Sequence, residues 1–208
     1  MYSMQEMLDK FENKWKQHII KQNTVVDVGF DIAGKQGTIS HLLISKYYNG
    51  TYFATDLIKG KTINQANSIE MLGHNVGENN RPIFYGIEAD GKELQADYPP
   101  ELISQMKKAM GKDPHKYSNK DFIGFWKKFN MQPGHVALVE TNKKIHQLFL
   151  SQRNMFNWYA TDLETGETIS YAHDQEGLAT GIAYRLDSPR LIAEIKDPIV
   201  EDRHGYVI

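Results

Sequence analysis

The segment Tyr52-Phe-Ala-Thr-Asp-Leu57, followed by Gly60-Lys-Thr-Ile63, decides the fold because a very similar segment occurs later in the chain. The later segment is Trp158-Tyr-Ala-Thr-Asp-Leu163, followed by Gly166-Glu-Thr-Ile169. The shift between the two aspartates is 162 − 56 = 106 residues, and it holds throughout both segments. Similarity at one fixed offset indicates two copies of one structural unit. Apolar and β-branched residues on both sides of a glycine turn predict a β-hairpin in each copy.

The similarity extends upstream of both hairpins. Residues 42–45 (Leu-Leu-Ile-Ser) match residues 148–151 (Leu-Phe-Leu-Ser), again at an offset of 106. Residues 25–30 and 135–139 precede these matches, and both are rich in the β-branched and apolar residues of strands. The pattern therefore predicts at least two further strands before each hairpin.

A pair of aromatic residues spaced by four begins each copy. Phe11 and Trp15 form the first pair, and Phe122 and Trp126 form the second, at an offset of 122 − 11 = 111. Residues four apart lie on one face of a helix, so each pair predicts an amphipathic helix laid on a sheet. The predicted core contains these aromatic residues together with the apolar residues of the strands: Phe11, Trp15, Leu43, Phe53, Phe122, Trp126, Phe149 and Tyr159.

A second hairpin is predicted downstream in each copy. In the first copy, Asp90-Gly91 is a strong turn signal between residues 82–87 and 92–96. In the second copy, residues 187–189 separate the apolar segments 181–186 and 190–195. The sequence thus predicts an α+β fold with pseudo-twofold symmetry, in which each tandem copy is a helix packed on an antiparallel β-meander of about six strands. The copies span residues 1–98 and 119–208, and residues 99–118 form a connecting helix and loop.

The composition excludes several classes of protein. The chain has 208 residues, a net charge of −2 and no cysteine, which rules out disulfides, thiol catalysis and thiolate metal sites. No apolar run approaches the ~20 residues that cross a bilayer, and the first residues do not resemble a signal peptide. We therefore expect a cytoplasmic protein without a cofactor or a membrane partner.

The segments after the two shared hairpins contain candidate catalytic residues. Each predicted loop, 73–80 and 173–177, carries one histidine and one glutamate, namely His74 with Glu78 and His173 with Glu176. A histidine beside a carboxylate can move a proton or bind a divalent metal. The spacing differs between the two pairs and matches no ligand motif, so ordinary solvated turns are the alternative interpretation, and no metal site is predicted.

A basic segment lies between the copies. From residue 101 to residue 128 there are seven lysines and three acidic residues, a net charge of +4, with aromatic residues interleaved. Lysines mixed with aromatic residues can bind phosphates and stack bases. The candidate nucleic-acid contacts are Lys107, Lys108, Lys112, Lys116 and Lys120. Because Phe122 and Trp126 repeat the first helix, these lysines are also compatible with an ordinary solvated face.

A non-enzymatic binding protein is the function that these observations favour. A duplicated unit without a convergent catalytic set is typical of an adaptor or inhibitor of a partner protein. A composition rich in Asn, Lys and Ile and lacking Cys resembles that of AT-rich bacterial genomes, which suggests a phage or plasmid accessory protein. The alternatives are a metal- or His/Glu-dependent hydrolase or nuclease, and a nucleic-acid-binding protein that uses the basic segment.

Overall fold

The computed structural model describes residues 3–30, 39–80, 82–95, 104, 108 and 118–195. This part of the chain contains four α-helices: α1 (Met4–Gln17), α2 (Ile69–Asn80), α3 (Asn119–Trp126) and α4 (Gln175–Arg185). Capping boxes start α1 and α3, where Ser3 pairs with Glu6 and Ser118 pairs with Asp121. Such reciprocal bonds satisfy backbone N–H groups that the first turn of a helix leaves free.

Ten strands in the described residues form one mixed sheet. The first five are β1 (Thr24–Phe30), β2 (Ile39–Tyr47), β3 (Tyr52–Asp56), β4 (Lys61–Ala66) and β5 (Pro82–Asp90). The last five are β6 (Val136–Glu140), β7 (Ile145–Arg153), β8 (Asn157–Asp162), β9 (Glu167–Ala172) and β10 (Arg190–Ile195). A short 3-10 helix, Gly91–Leu94, follows β5.

Six of these strands close into a barrel. Strands β2, β3 and β4 are joined by antiparallel pairing, and so are β7, β8 and β9. Parallel pairs between β4 and β7 and between β9 and β2 join the two sets into a ring. Strands β1 and β5 extend the sheet from β2, and β6 and β10 extend it from β7. The two halves of the chain therefore share one barrel.

Two pairs of helices cover the outside of the barrel. Phe11 and Trp15 of α1 lie in one apolar cluster with α2 and strand residues such as Leu42. Phe122 and Trp126 of α3 lie in a second cluster with α4 and strand residues of the other half. All eight residues of the predicted core are buried, so that prediction is confirmed.

Hydroxyl groups line part of the barrel interior. Thr62 Oγ1 lies 3.1 Å from Thr55 Oγ1 and 2.9 Å from Ser151 Oγ, which links β3, β4 and β7. A second chain links β8, β9 and β2, because Thr168 Oγ1 lies 3.3 Å from Thr161 Oγ1 and 3.0 Å from Ser45 Oγ. All of these hydroxyl groups belong to buried residues. Each parallel junction of the barrel is thus joined by side chains as well as by the backbone.

Glycines without room for a side chain occupy the turns beside these junctions. Gly60 and Gly166 have φ angles of +58° and +66°, in the left-handed region that glycine adopts at no steric cost. A Cβ on Gly60 would lie 2.0 Å from the Gly134 backbone nitrogen, and a Cβ on Gly166 would lie 2.6 Å from that of Asn23. Two backbone segments can therefore meet at each junction only because these residues are glycines.

Four details of the sequence prediction are wrong. Residues 73–80 were expected to form a loop but belong to helix α2, and residues 175–177 of the predicted loop 173–177 belong to helix α4. Residues 181–185 were expected to form a strand and also belong to helix α4. Strand β5 continues into the 3-10 helix Gly91–Leu94 rather than turning into a hairpin at Asp90-Gly91. Each half consequently contributes five described strands. The predicted connecting helix falls outside the described residues except at Ser104 and Lys108, which are helical.

Candidate binding surface at one end of the barrel

The sequence-predicted histidines and glutamates do not gather at one point. His74 Nδ1 lies 2.7 Å from Glu12 Oε1 of α1, and its Nε2 lies 3.6 Å from Glu78 Oε2 on the next turn of α2. The hydrogen bond from His74 lowers the pKa of Glu12. This group ties α1 to α2 on the outside of the first helical layer.

The second predicted pair is divided between other partners. His173 Nδ1 lies 2.9 Å from Asn157 Oδ1, and Glu176 Oε2 lies 2.9 Å from Lys127 Nζ. Helix α4 packs on α3, β8 and β9, whereas α2 packs on α1, β3 and β4. The described residues contain no group of three or more His, Cys, Asp or Glu side chains that could hold a metal ion.

The predicted basic segment is only partly described. Lys107, Lys112 and Lys116 lie outside the described residues, whereas Lys108 and Lys120 are exposed. Nearby, Lys127 pairs with Glu176, and Lys128 Nζ lies 4.9 Å from the centre of the Phe125 ring. Phe122 and Trp126 are buried, as the structural interpretation of their spacing predicted, so they cannot stack on bases.

One end of the barrel carries exposed apolar side chains at two hairpin tips. Strands β2 and β7 run in the same direction, because β4 is antiparallel to β3, β3 is antiparallel to β2, and β4 is parallel to β7. The hairpins that follow β2 and β7 therefore lie at the same end. Tyr48 is 66% exposed at the first tip, and Met155 and Phe156 are 78% and 65% exposed at the second.

Tyrosines and an arginine form a cluster beside the first tip. The rings of Tyr47 and Tyr48 lie 4.4 Å apart, and the Arg185 guanidinium lies 4.6 Å from the centre of the Tyr48 ring. Tyr171 stacks on Tyr159 with ring centres 5.4 Å apart. Arg185 also forms an ion pair with Glu167, with Nη2 2.7 Å from Oε1. The contact with the aromatic face and the ion pair together restrict the orientation of the arginine.

The cluster reaches from the surface into the barrel. Tyr159 is buried and its ring lies 5.0 Å from that of Phe53, while Tyr171 remains exposed. Burial raises the pKa of Tyr159, and burial followed by the neighbouring Tyr48 raises the pKa of Tyr47. Both phenols therefore stay neutral and can donate a hydrogen bond at neutral pH.

An open depression of about 430 Å³ continues this surface along α4. Residues 183–188 line it together with Asn119, so Tyr184 and Arg185 form part of its wall. We name the whole area the mouth surface and define it by six side chains: Tyr47, Tyr48, Met155, Phe156, Tyr171 and Arg185. The sequence prediction missed it, although the adjacent pair Tyr47-Tyr48 and the pair Met155-Phe156 in turn positions were visible signals.

No protein-family model, curated protein or solved structure matches this chain. In the described part of the chain, every helix falls short of the length and apolar character required to span a membrane.

Proposed function

We propose that this chain is a non-enzymatic binding protein, an adaptor or inhibitor, and that its partner is a protein that docks on the mouth surface. The exposure of Tyr48, Met155 and Phe156 at two hairpin tips on the same end of the barrel carries the proposal. Hairpin tips exposed to water are normally polar, so exposed apolar side chains at both tips of one end mark this end as an interaction site. Tyrosine, methionine and arginine are enriched in protein interfaces.

The contacts within the cluster favour a protein over a nucleic acid. One face of Tyr171 is stacked on Tyr159, and the Arg185 guanidinium covers one face of Tyr48. These contacts leave each ring at most one face on which a base could stack, whereas a protein partner also uses ring edges and hydroxyl groups. Because Arg185 is already held in one orientation, it loses little side-chain entropy when a partner binds, and this favours affinity.

The proposed complex contains one partner per chain. The residue 106 positions after Tyr47 is Arg153, and the residue 106 positions before Tyr171 is Gln65. The junction between β4 and β7 therefore lacks the tyrosine cluster found between β9 and β2. The proposal also treats residues 1–98 and 119–208 as tandem copies joined by residues 99–118. In this view, the junction between β4 and β7 is the counterpart of the tyrosine cluster and has either lost its tyrosines or never had them. The matching hydroxyl chains and glycine turns support this relationship.

The test is a comparison of variants in binding to one purified partner. Tagged protein captures a stoichiometric partner from nuclease-treated host lysate, and the pair is then reconstituted and measured by calorimetry. Tyr48→Ala, Phe156→Ala and Arg185→Ala should each weaken binding by about tenfold or more, the loss expected for an interface hot spot. Ile19→Ala is the matched control, because Ile19 is 85% exposed and lies in the segment between α1 and β1, outside the mouth surface.

Two results would contradict the proposal. If the three variants bind the partner as well as the unmodified chain, the mouth surface is not the interface. If nuclease treatment abolishes capture of the partner, nucleic-acid binding through the basic segment is favoured instead. The affinity should then fall steeply as the salt concentration rises. The hydrolase alternative predicts bound metal that is lost in His74→Ala, which metal analysis of both proteins would detect.

A further inference from the structure

A positively charged side chain faces the inside of the barrel next to the mouth surface. Arg153 ends β7 two residues after Ser151, whose hydroxyl group belongs to the barrel interior. Side chains two positions apart on a strand point to the same face, so Arg153 points inward as well. Tyr159 of β8 pairs with Ser151 and lies beside it. Burial raises the pKa of Tyr159, and the charge of the Arg153 guanidinium opposes that rise.

Arg153 differs from the other two described arginines in its partners. Arg185 pairs with Glu167, and Arg190 pairs with Glu140. Within the part of the chain that the structure describes, no carboxylate lies within ion-pair distance of Arg153, which is partly buried. Partial burial of a cation without an opposite charge costs free energy, because the charge loses hydration. The inside of the mouth therefore carries one positive charge that a bound anion would balance.

Phenol groups border the opening beside this charge. Tyr171 pairs with Tyr159 across β8 and β9, and their ring centres lie 5.4 Å apart. The ring centre of Tyr47 lies 6.2 Å from that of Tyr171, on the next strand of the barrel. A phenol hydroxyl group can donate a hydrogen bond to an anion, and hydrogen bonds to an ionised acceptor are stronger than neutral ones. The arginine and the phenols together supply the groups that an anion requires.

We propose that Arg153 binds an acidic side chain of the protein partner, an aspartate or glutamate that enters the barrel mouth between the two hairpin tips. This inference rests on the proposed function, because it names the chemical group that the partner places against the mouth surface. The exposed tip residues Tyr48, Met155 and Phe156 contact apolar neighbours of that acidic residue. The recognised segment is therefore one carboxylate flanked by apolar side chains, a pattern complementary to the mouth in both charge and polarity.

The charge of the site favours a carboxylate over a phosphate group. A carboxylate carries one negative charge, which Arg153 balances, and its two oxygens match the planar guanidinium. A phosphate monoester carries about 1.5 to 2 negative charges at neutral pH and would leave part of its charge unbalanced. Glu167 of β9 does not repel an incoming carboxylate from inside the mouth. It precedes Thr168, a residue of the barrel interior, so it points outward, where it pairs with Arg185.

Lys46 is a matched cation on the outside of the same end of the barrel. It follows Ser45, whose hydroxyl group belongs to the barrel interior, so Lys46 points outward. Its Nζ lies 4.9 Å from the centre of the Tyr52 ring, and Tyr52 packs against the apolar cluster beneath α1 and α2. Loss of either cation changes the net charge by one, but only loss of Arg153 removes a charge from the inside of the mouth.

Selection from a library of random peptides displayed on phage tests the site. Peptides selected by the unmodified chain should share an aspartate or glutamate beside apolar residues, and Lys46→Gln should select the same pattern. Arg153→Gln should lose the acidic residue from the pattern, whereas Arg153→Lys should keep part of the preference because it keeps the charge.

Calorimetry with one selected peptide measures the size of the effect. A synthetic peptide with its acidic residue should bind the unmodified chain about tenfold or more tightly than the same peptide with the corresponding amide, the loss expected for a charged hydrogen bond. Arg153→Gln should bind both peptides equally, and Lys46→Gln should keep the difference.

The outcomes separate this inference from the proposed function. Selected peptides without a shared acidic residue, or an acidic preference that persists in Arg153→Gln, would overturn the inference. The proposed function would still stand if Tyr48→Ala and Phe156→Ala weaken the binding of those peptides. A chain that selects no peptide, or peptides that bind Tyr48→Ala and Phe156→Ala unchanged, would contradict both. Circular dichroism checks that Arg153→Gln is folded, and if it is not, the two synthetic peptides with the unmodified chain and Arg153→Lys decide the result.

Discussion

Nδ1 of His146 lies 2.7 Å from Oδ2 of Asp162, a carboxylate whose side chain is only 2% exposed. The other oxygen, Oδ1, accepts a hydrogen bond from the Glu164 backbone N–H at 2.8 Å, and Lys144 Nζ lies 3.8 Å from Oδ2. Burial on its own raises the pKa of Asp162. The hydrogen bond from His146, the charge of Lys144 and the Glu164 amide together outweigh burial, so the pKa lies below its ordinary value of 3.8.

This arrangement predicts that the protein loses stability in acid. Because the pKa of Asp162 is lower in the folded chain than in the unfolded chain, ionised Asp162 contributes stability that is fully present well above pH 3.8. The contribution falls as the pH drops through 3.8 toward the folded pKa, since the unfolded chain then binds more protons. Urea unfolding between pH 7 and pH 3 should show this loss, and Asp162→Asn should reduce it.

At pH 7, Asp162→Asn should lower the free energy of unfolding by about 3–5 kcal/mol, the usual result of removing one member of a buried pair. Asp187→Asn provides the control, because Asp187 is exposed in the described structure. Equal pH profiles for Asp162→Asn and the unmodified chain would show that another carboxylate governs the acid transition.

Substitution by phenylalanine should lower the free energy of unfolding by different amounts at the two helical tryptophans. Trp15 Nε1 donates a hydrogen bond to the Ile69 carbonyl at 3.1 Å, whereas the buried Trp126 Nε1 has no partner among the described residues. Both substitutions to alanine should cost about 3–5 kcal/mol of unfolding free energy. Trp15→Phe should cost about 1 kcal/mol more than Trp126→Phe, because only Trp15→Phe breaks a hydrogen bond.

Chemical denaturation of the four variants measures these differences. Tyr184→Ala, at a position 78% exposed, should change stability by less than about 0.5 kcal/mol. Losses below about 1 kcal/mol in both tryptophan-to-alanine variants would mean that neither aromatic face belongs to a packed core.

The errors of the sequence prediction have a physical cause in helix α2. Its sequence contains Gly73, Gly77 and several asparagines, which have low helix propensity and therefore indicated a loop. In the folded chain a Cβ on Gly73 would lie 2.6 Å from the Trp15 ring, and a Cβ on Gly77 would lie 2.7 Å from Leu8. The glycines allow α1 and α2 to pack closely, so tertiary packing overrides the local preference. Gly181 approaches Ser170 in the same way in α4.

The hairpins and the core could be predicted because their signals are local and periodic. The closure of the barrel could not, because β4 pairs with β7 through one residue pair and the contact is completed by Thr62 and Ser151, residues 89 positions apart. The mouth surface depends on the same closure, which brings Tyr48 near Arg185. Local composition contains no information about which distant strands become neighbours.

Alanine substitutions at three glycines should have effects of opposite sign. Gly60→Ala and Gly166→Ala place a Cβ against backbone atoms and strain a positive φ, so each should lower the unfolding free energy by about 2 kcal/mol or more. Gly124 is helical, and a Cβ there would meet no atom within 4 Å apart from its chain neighbours and the backbone of its own helix. Gly124→Ala should therefore raise the unfolding free energy by about 0.5–1 kcal/mol. Thermal unfolding of the three variants checks the signs. A neutral Gly60→Ala would show that the β4–β7 junction is more open than its geometry indicates.

The same threonine-to-valine substitution in each of the two hydroxyl chains tests both the closure of the barrel and the tandem relationship of the two halves. Thr62→Val keeps the volume of the side chain but removes its contacts with Thr55 and Ser151, so it should cost about 1–3 kcal/mol of unfolding free energy. Thr168→Val removes the corresponding contacts at the other junction and should cost the same to within about 0.5 kcal/mol if the two halves are equivalent.

Thr180→Val is the control for these threonines, since its hydroxyl bonds the Glu176 carbonyl on the exposed side of α4. Its cost should stay below about 0.5 kcal/mol. A large loss in Thr62→Val with none in Thr168→Val would contradict the proposed equivalence of the halves, because the two junctions would then bear unequal parts of the barrel's stability. Similar losses in both would mean that each junction is held by its own hydroxyl chain, although only one of them carries the tyrosines proposed to bind a partner.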